Sequence, residues 1–368
     1  MANSFFSKIL GGTKSDSVIG IDIGSSSIKV VQLKKKRGKA VLETYGELSL
    51  GPYADVEIGK SVRLPEEKIV EALRDVLVEA KASTRDSAIS IPMKSSMVSI
   101  VTMPQMNESQ LDKMIPIEAR KYIPVPISEV SLDWFVIPHL TDSSDNSSSE
   151  KMQQNQVLVV AIHNDVLNSY SNIINASKLK TTFFEVEMFS TIRSVLEHGD
   201  NQPVMILDMG ASATKTYIVE RGLVRDSHII NRGSQEITKN ISQAMQVTVE
   251  FAEKLKRNHG KNEKKQDEDI LRVSDLVLSP IFSEVNSVLL NFQKSRNKSV
   301  SKVMVVGGGA LLEGFVERAK KQIGIDVVPG DPFSKVETPA FLQDILKKTG
   351  YAFSTAMGLA LRKLQEME

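Results

Sequence analysis

Cysteine is absent from all 368 residues, which excludes disulfides, thiolate metal sites and cysteine nucleophiles. That absence is compatible with a reducing compartment without requiring one. An excess of one charge is missing too: 46 Lys and Arg stand against 45 Asp and Glu, leaving +1. An overall basic footprint for nucleic acid is therefore not present. No apolar run reads as long enough to span a membrane. The opening stretch, Met1 to Leu10, has apolar pairs at helical spacing but neither the basic start nor the long apolar centre of a signal peptide. It reads as a frayed tail, with a partner-binding or membrane-touching helix as the second reading. What remains is ordinary globular material, 41% hydrophobic and 25% charged, in a chain long enough for two or three domains and a large core.

The most informative stretch runs from Gly20 to Val31 and reads as a strand, a tight polar turn and a second strand. Ile206 to Tyr217 nearly repeats it, matching at Asp, Gly, Ser and Lys with one offset, since 208 − 22 and 215 − 29 both equal 186. A hairpin tip of Gly and Ser exposes backbone N–H groups and hydroxyls in a small concavity, and such nests bind anionic oxygens. An Asp beside that anion, Asp22 or Asp208, would repel phosphate alone, so its expected work is to hold a water of hydrated Mg²⁺. The Lys seven residues after each Asp can aim a cation at the same group. Two such hairpins facing each other would clamp a nucleotide's phosphates. One copy could be a plain exposed turn; two in register argue against that.

In chain order, strands are expected over 18–23, 28–33 and 40–49, followed by an amphipathic helix from Pro65 to Val78 with Ile69, Leu73, Val76 and Leu77 on one face. Gly59-Lys60-Ser61 is no phosphate loop, because the required first glycine falls at Ala54. After a strand over 87–91, residues 93–162 read as an inserted α+β module. Its parts are a strand over 97–102, a helix capped by Asn107 and Gln110 with Pro116 as a kink or break, a strand over 130–137 holding the only Trp, a polar loop over 141–155 and a strand over 157–162. Helices over 166–177 and 189–198 flank a strand over 181–186, and the second hairpin starts just after Pro203. Beyond it come a hairpin extension to Ile230, a helix to about residue 245, a helix-rich stretch over 248–288 with a solvated charged run over 260–269, a strand over 299–306 and a helix over 312–323. The final helix, 351–362, is built of small residues suited to close packing.

Gly307, Gly308 and Gly309 offer a bare backbone on which a base or ribose can lie, although Leu312 rules out a dinucleotide fingerprint. Glu253 and Lys256 sit three apart on one helix and reach the same side. Taken singly, the glycines read as a turn and the pair as an exposed salt bridge. Their order with the two hairpins and Arg232-Gly233-Ser234 resembles the actin, sugar-kinase and heat-shock chaperone superfamily. The resemblance implies an α/β, two-lobed actin-like (ribonuclease H-like) fold with an inserted α+β subdomain. It implies ATP and Mg²⁺ as cofactors, with Asp22 and Asp208 acting through metal-bound water. Gly24, Ser25, Ser26 and Ser27, with Gly210, Ala211, Ser212, Ala213 and Thr214, would contact phosphates, and Lys29 would add a cation. Gly233 and Ser234 would approach the phosphate end, with Arg232 where the superfamily often has a second glycine. Glu253 and Lys256 would hold ribose and adenine, the glycine run would carry the adenosine, and Glu187 would be the water-orienting acid, unless it is simply an acid at a helix start.

Within the superfamily, Met103 to Leu111, Ile117 to Pro126 and Val130 to Trp134 resemble the corresponding stretch of the PilM family of type IV pilus assembly, a relative of the division protein FtsA. That resemblance implies subdomains 1A (17–90, 163–202 and 351–368), 1C (91–162), 2A (203–245 and 300–350) and 2B (246–299). It also implies a cytoplasmic protein peripheral to the inner membrane through its partners. Those partners would be the cytoplasmic N-terminal tail of PilN, other platform proteins and a second copy of the chain, with no nucleic acid. ATP would regulate or stabilise the assembly, with at most slow hydrolysis. The alternatives are an FtsA-like or other filament-forming protein and a small-molecule kinase.

Overall fold

The structure, a computed structural model, describes residues 16–137, 154–197, 199, 201–260 and 264–367. The expected N-terminal tail, the polar loop over 141–153, His198, and residues 261–263 of the charged run lie outside them.

The chain opens with an antiparallel meander, β1 (Ser17–Ile23), β2 (Ser27–Lys36) and β3 (Lys39–Ser49), then α1 (Glu66–Glu79) and β4 (Asp86–Ile91), which lies parallel to β1. In β1, Ile19, Ile21 and Ile23 face one cluster together with α1, while Val18 faces another. A strand covered on both faces is apolar almost throughout, which is why its one acid, Asp22, stands out. On α1 the buried residues are Val70, Ala72, Leu73, Val76 and Leu77, and Ile69 is only partly covered. The buried face thus contains the expected Leu73, Val76 and Leu77 and widens to take in Val70 and Ala72.

The inserted module is a three-stranded antiparallel sheet of order β5-β7-β6, formed by β5 (Ser96–Pro104), β6 (Val130–Ile137) and β7 (Gln154–His163), with α2 (Glu108–Ala119) against it. Asn107 and Gln110 form the reciprocal cap at 3.0 and 3.1 Å. The helix runs on through Pro116 to Ala119 rather than ending there, without the one bond that the missing N–H would have made. After α3 (Asn164–Ala176), β8 (Lys180–Val186) completes the first sheet in the order β3-β2-β1-β4-β8, and α4 (Glu187–Val195) begins at once. Glu187 is therefore the first residue of α4, two positions before the expected start.

The second half repeats the plan with β9 (Val204–Met209), β10 (Thr214–Glu220) and β11 (Leu223–Ile230), followed by helices α5 (Ser234–Met245), α6 (Val249–Arg257) and α7 (Lys264–Arg296). Next come β12 (Lys302–Val306), α8 (Phe315–Ile323), β13 (Asp326–Pro329), α9 (Gln343–Thr349) and α10 (Ser354–Gln365). The sheet order β11-β10-β9-β12-β13 matches the first sheet strand for strand. The expected helix from Leu312 starts only at Phe315, after Gly314 turns the chain at φ +71°.

By length and composition helix α7 alone among the described helices could cross a membrane. Here Ile270, Val277, Leu278, Ile281, Phe282 and Val285 are buried in the core of the second lobe. The small residues of α10 do what their size allows. A Cβ on Gly20 would lie 1.9 Å from the Ala356 carbonyl oxygen, and one on Gly358 would lie 1.8 Å from that of Ser190. A further cluster ties the parts together: Met188 and Ile192 of α4 pack with Ile206, Tyr217 and Val306 of the second sheet, and Val98, Val160 and Ile162 of the insert lie against them.

Candidate functional site

The two hairpin tips have the same turn. Gly24 N–H donates to the Ser27 carbonyl and Gly210 N–H to the Ala213 carbonyl, each at 3.0 Å. The register repeats as well, with Asp22 opposite Lys29 on β1/β2 and Asp208 opposite Lys215 on β9/β10. The tips meet: Ser25 Oγ donates to Ser212 Oγ at 3.1 Å. Behind the second tip, Ser234 N–H and Gln235 N–H donate to the Gly210 and Ala211 carbonyls at 3.0 Å. Thr214 Oγ1 donates to the Arg232 carbonyl at 2.8 Å. Arg232 itself points outward, 3.9 Å from Glu236.

Two glycines are required by close approach. A Cβ on Gly233 would sit 2.3 Å from the Ala211 carbonyl oxygen, and one on Gly307, at φ +89°, would sit 2.5 Å from Asp208 Oδ1. Gly309 is nearly as tight against Met209 and Ser234. Gly308 faces open space, its nearest neighbour being Lys29 Nζ at 3.9 Å from the Cβ position.

The charged groups are arranged asymmetrically despite the repeated register. Lys29 stays within its own lobe, 3.3 Å from Glu47 and 3.1 Å from Ser27 Oγ. Lys215 crosses between lobes, 2.6 Å from Glu187 Oε2 and 3.4 Å from Asp208 Oδ2. The second oxygen of Glu187 accepts from Met93 N–H at 2.6 Å. Burial pushes the Glu187 carboxyl up, Asp208 and Asp22 add to this, and Lys215 opposes it. Burial alone would lower Lys215, but the two facing carboxylates outweigh it and hold the ammonium well above its ordinary range. Asp22 is raised by burial, against Lys29, Lys215 and the hydroxyl of Ser90, which donates to its Oδ1 at 2.9 Å.

Glu253 and Lys256 pair at 2.6 Å. Thr238 Oγ1 donates to Glu253 at 2.7 Å and accepts from Lys256 at 2.7 Å, and Arg257 Nε donates to Glu253 at 2.8 Å. Burial works against the Glu253 carboxylate, yet Lys256 and these hydrogen bonds pull it down to about 2. The loop set aside as a phosphate loop lies against this group from the first lobe. Ser61 N–H donates to Gln235 Oε1 at 2.9 Å, and a Cβ on Gly59 would be 3.0 Å from that of Glu253.

The structure thus gathers the two tips, Asp22, Asp208, Lys29, Lys215, Glu187 and the Gly307 turn in one place where the lobes meet, with Glu253 and Lys256 beside Ser234. Sequence reasoning passed over Ser90, the Met93 N–H, Thr238 and Glu47. Each acts on a residue far along the chain, and no local pattern marks it. Among the described residues no three His, Cys, Asp or Glu side chains are grouped to hold a metal. Two carboxylates are enough for Mg²⁺, which keeps several waters and takes one or two carboxylates with phosphate oxygens.

Twin sheets of matching strand order joined through paired Asp-Gly-Ser hairpins give the chain an actin-like, ribonuclease H-like fold carrying an inserted subdomain. A solved PilM–PilN type IV pilus biogenesis complex is similar at TM-score 0.78 and 21% identity, over 94% of this chain and 98% of that one. MreB 5 of Spiroplasma citri bound to AMPPNP is similar at TM-score 0.52 and 11% identity, over 96% and 98%. The cell division protein FtsA of Streptococcus pneumoniae is 24% identical over 181 residues, which is 44% of this chain and 40% of the relative's length. The family model for type IV pilus assembly protein PilM matches residues 20–364, and the chain belongs to that family.

Proposed function

We propose that the cleft binds ATP with Mg²⁺, and that the nucleotide-bound chain receives the cytoplasmic N-terminal tail of PilN beside the inserted module, at the inner membrane. The observation that carries this reading is the 3.1 Å contact between two hairpin tips whose Asp and Lys residues stand in the same register. Two anion-binding turns face each other, and two acids flank them. In this role Gly24 to Ser27 and Gly210 to Thr214 hold phosphates, and Asp22 and Asp208 hold waters of the metal. Glu253, Lys256 and the Gly307 turn take the nucleoside. The MreB 5 neighbour bound to AMPPNP supports a nucleotide, and the PilM–PilN neighbour supports PilN. Exposed Ile117, Tyr122 and Phe135 give the insert an apolar surface of the kind protein partners cover.

On this reading the chain divides as 1A (17–90, 163–202, 351–368), 1C (91–162), 2A (203–245, 300–350) and 2B (246–299). The protein is cytoplasmic and reaches the membrane through partners. ATP acts as a ligand with at most slow turnover, because Glu187, the candidate water-orienting acid, has both oxygens engaged by Lys215 and Met93 N–H. Mg·ATP is expected to raise the melting temperature of the parent chain and to leave that of Asp22→Ala or Asp208→Ala unchanged. Equal stabilisation of parent and variants would sink the assignment. Retention of the chain on an immobilised PilN N-terminal peptide tests the partner, and no retention with or without ATP would reject it.

A further inference from the structure

We infer that Glu187 is a positioning residue that couples occupancy of the cleft to the root of the inserted module. This rests on the nucleotide reading above and adds a route by which the nucleotide regulates the insert. Glu187 is buried, and its two carboxylate oxygens serve different parts of the molecule. Oε2 accepts from Lys215 of the second lobe at 2.6 Å, and Oε1 accepts from the backbone N–H of Met93 at 2.6 Å. Met93 opens the short turn, Met93–Ser95, that leads directly into β5 of the insert. Its side chain is buried in the cluster where α4 and the second sheet meet, against which Val98, Val160 and Ile162 of the inserted sheet pack. One carboxylate therefore touches the second lobe on one side and the root of the insert on the other.

Lys215 is the movable member. Its ammonium is shared between Glu187 and Asp208, at 2.6 and 3.4 Å, and Asp22 adds a further negative charge nearby. A divalent cation at Asp208 removes one of its two partners, whereas a phosphate group offers a third. Either event changes how tightly Lys215 holds Glu187. Because each oxygen of Glu187 has a single partner of its own, a rotation of the carboxylate that follows Lys215 moves the Met93 bond as well. A linkage between sites needs a contact that differs between two states, and the shared ammonium supplies it. A brace that merely stiffened the fold would hold the lobes without reporting to the insert.

The only tryptophan, Trp134, is half-buried on β6 of the insert and reports on that module. In the full chain, saturating Mg·ATP is expected to change the emission and acrylamide quenching of Trp134. Glu187→Gln is expected to lose that change while calorimetry still registers ATP binding. Met93→Pro is the second variant, since it deletes the backbone donor while leaving Glu187 and Lys215 in place, and Met93→Ala, which removes the same buried side chain but keeps the N–H, is its control. Proline is tolerated there because Pro92 is already extended at φ −61°, ψ 139° and position 93 starts a turn. This variant is expected to lose the signal too. A parent that binds ATP with no change at Trp134, or a Glu187→Gln chain that keeps the parental change, overturns the coupling and leaves the nucleotide reading standing. A parent that gives no heat with ATP overturns the nucleotide reading, and the coupling with it.

Discussion

Replacing Glu253 by Gln probes the far end of the cleft through stability alone. In the folded chain burial raises this carboxyl, but Lys256 at 2.6 Å, Thr238 at 2.7 Å and Arg257 at 2.8 Å overcome it, and it titrates at about 2 rather than 4.5. A depression of that size favours the folded state by about 3 kcal/mol at neutral pH. The folded value lies below the unfolded one, so this stability is fully present above pH 4.5 and is lost as the pH falls towards 2. Unfolding entropy of about 2.1 cal/mol/K per residue makes 3 kcal/mol worth about 4 °C for a chain of 368 residues. Gln keeps the shape of a protonated Glu and leaves Lys256 without a counter-charge, so the variant mimics the parent in acid. Paired circular-dichroism melts of parent and Glu253→Gln between pH 7 and pH 3 measure the difference. The expected gap is about 4 °C at pH 7, closing steadily below pH 5. A gap that stays constant with pH, or none at pH 7, refutes the reasoning.

Ser25→Cys combined with Ser212→Cys is expected to form one disulfide on mild oxidation, because the two hydroxyls are 3.1 Å apart and no native cysteine competes. Mass spectrometry reads the loss of two hydrogens, and a chain that stays reduced would mean that the tips do not meet in solution. Gly358→Val places a side chain where the Ser190 carbonyl oxygen lies 1.8 Å from the Cβ position. It should cost about 3 kcal/mol or more and lower the urea midpoint, whereas an unchanged midpoint would contradict the close crossing of α4 and α10.

What the sequence made legible is local or repeated. The 186-residue offset exposed both hairpins before any fold was in view, since the same Asp, Gly, Ser and Lys recur at fixed spacing. The capping pair Asn107 and Gln110 and the small-residue face of the last helix were equally plain, because each follows from neighbours a few positions away. Spacing also placed a Lys opposite each Asp. It could not say that Lys29 would stay with Glu47 while Lys215 crossed to Glu187, a choice made by packing between residues 28 apart in the chain and on different lobes. Ser90 reaches Asp22 across 68 residues for the same reason. Strand β13 escaped notice because four residues, one of them Pro329, carry too little alternation to mark a strand. The loop around Gly59 fails the phosphate-loop motif, and its place against the second lobe is set by the contact of Ser61 with Gln235, 174 residues away.

Helix α10 has a consequence for how the chain is made. Strand β1 leaves the ribosome well before α10, yet one face of it packs against α10, with Ala356 and Ala360 against Gly20. Arg362 joins Glu185 at 2.7 Å and Lys363 joins Thr182 at 2.6 Å to seal that closure. The strands from Val204 to Pro329, by contrast, form a sheet whose members are all contiguous in synthesis. The later half therefore closes first, and the earlier half waits with an uncovered apolar face until α10 emerges, which makes that interval the stretch of its biogenesis most exposed to aggregation and to chaperones.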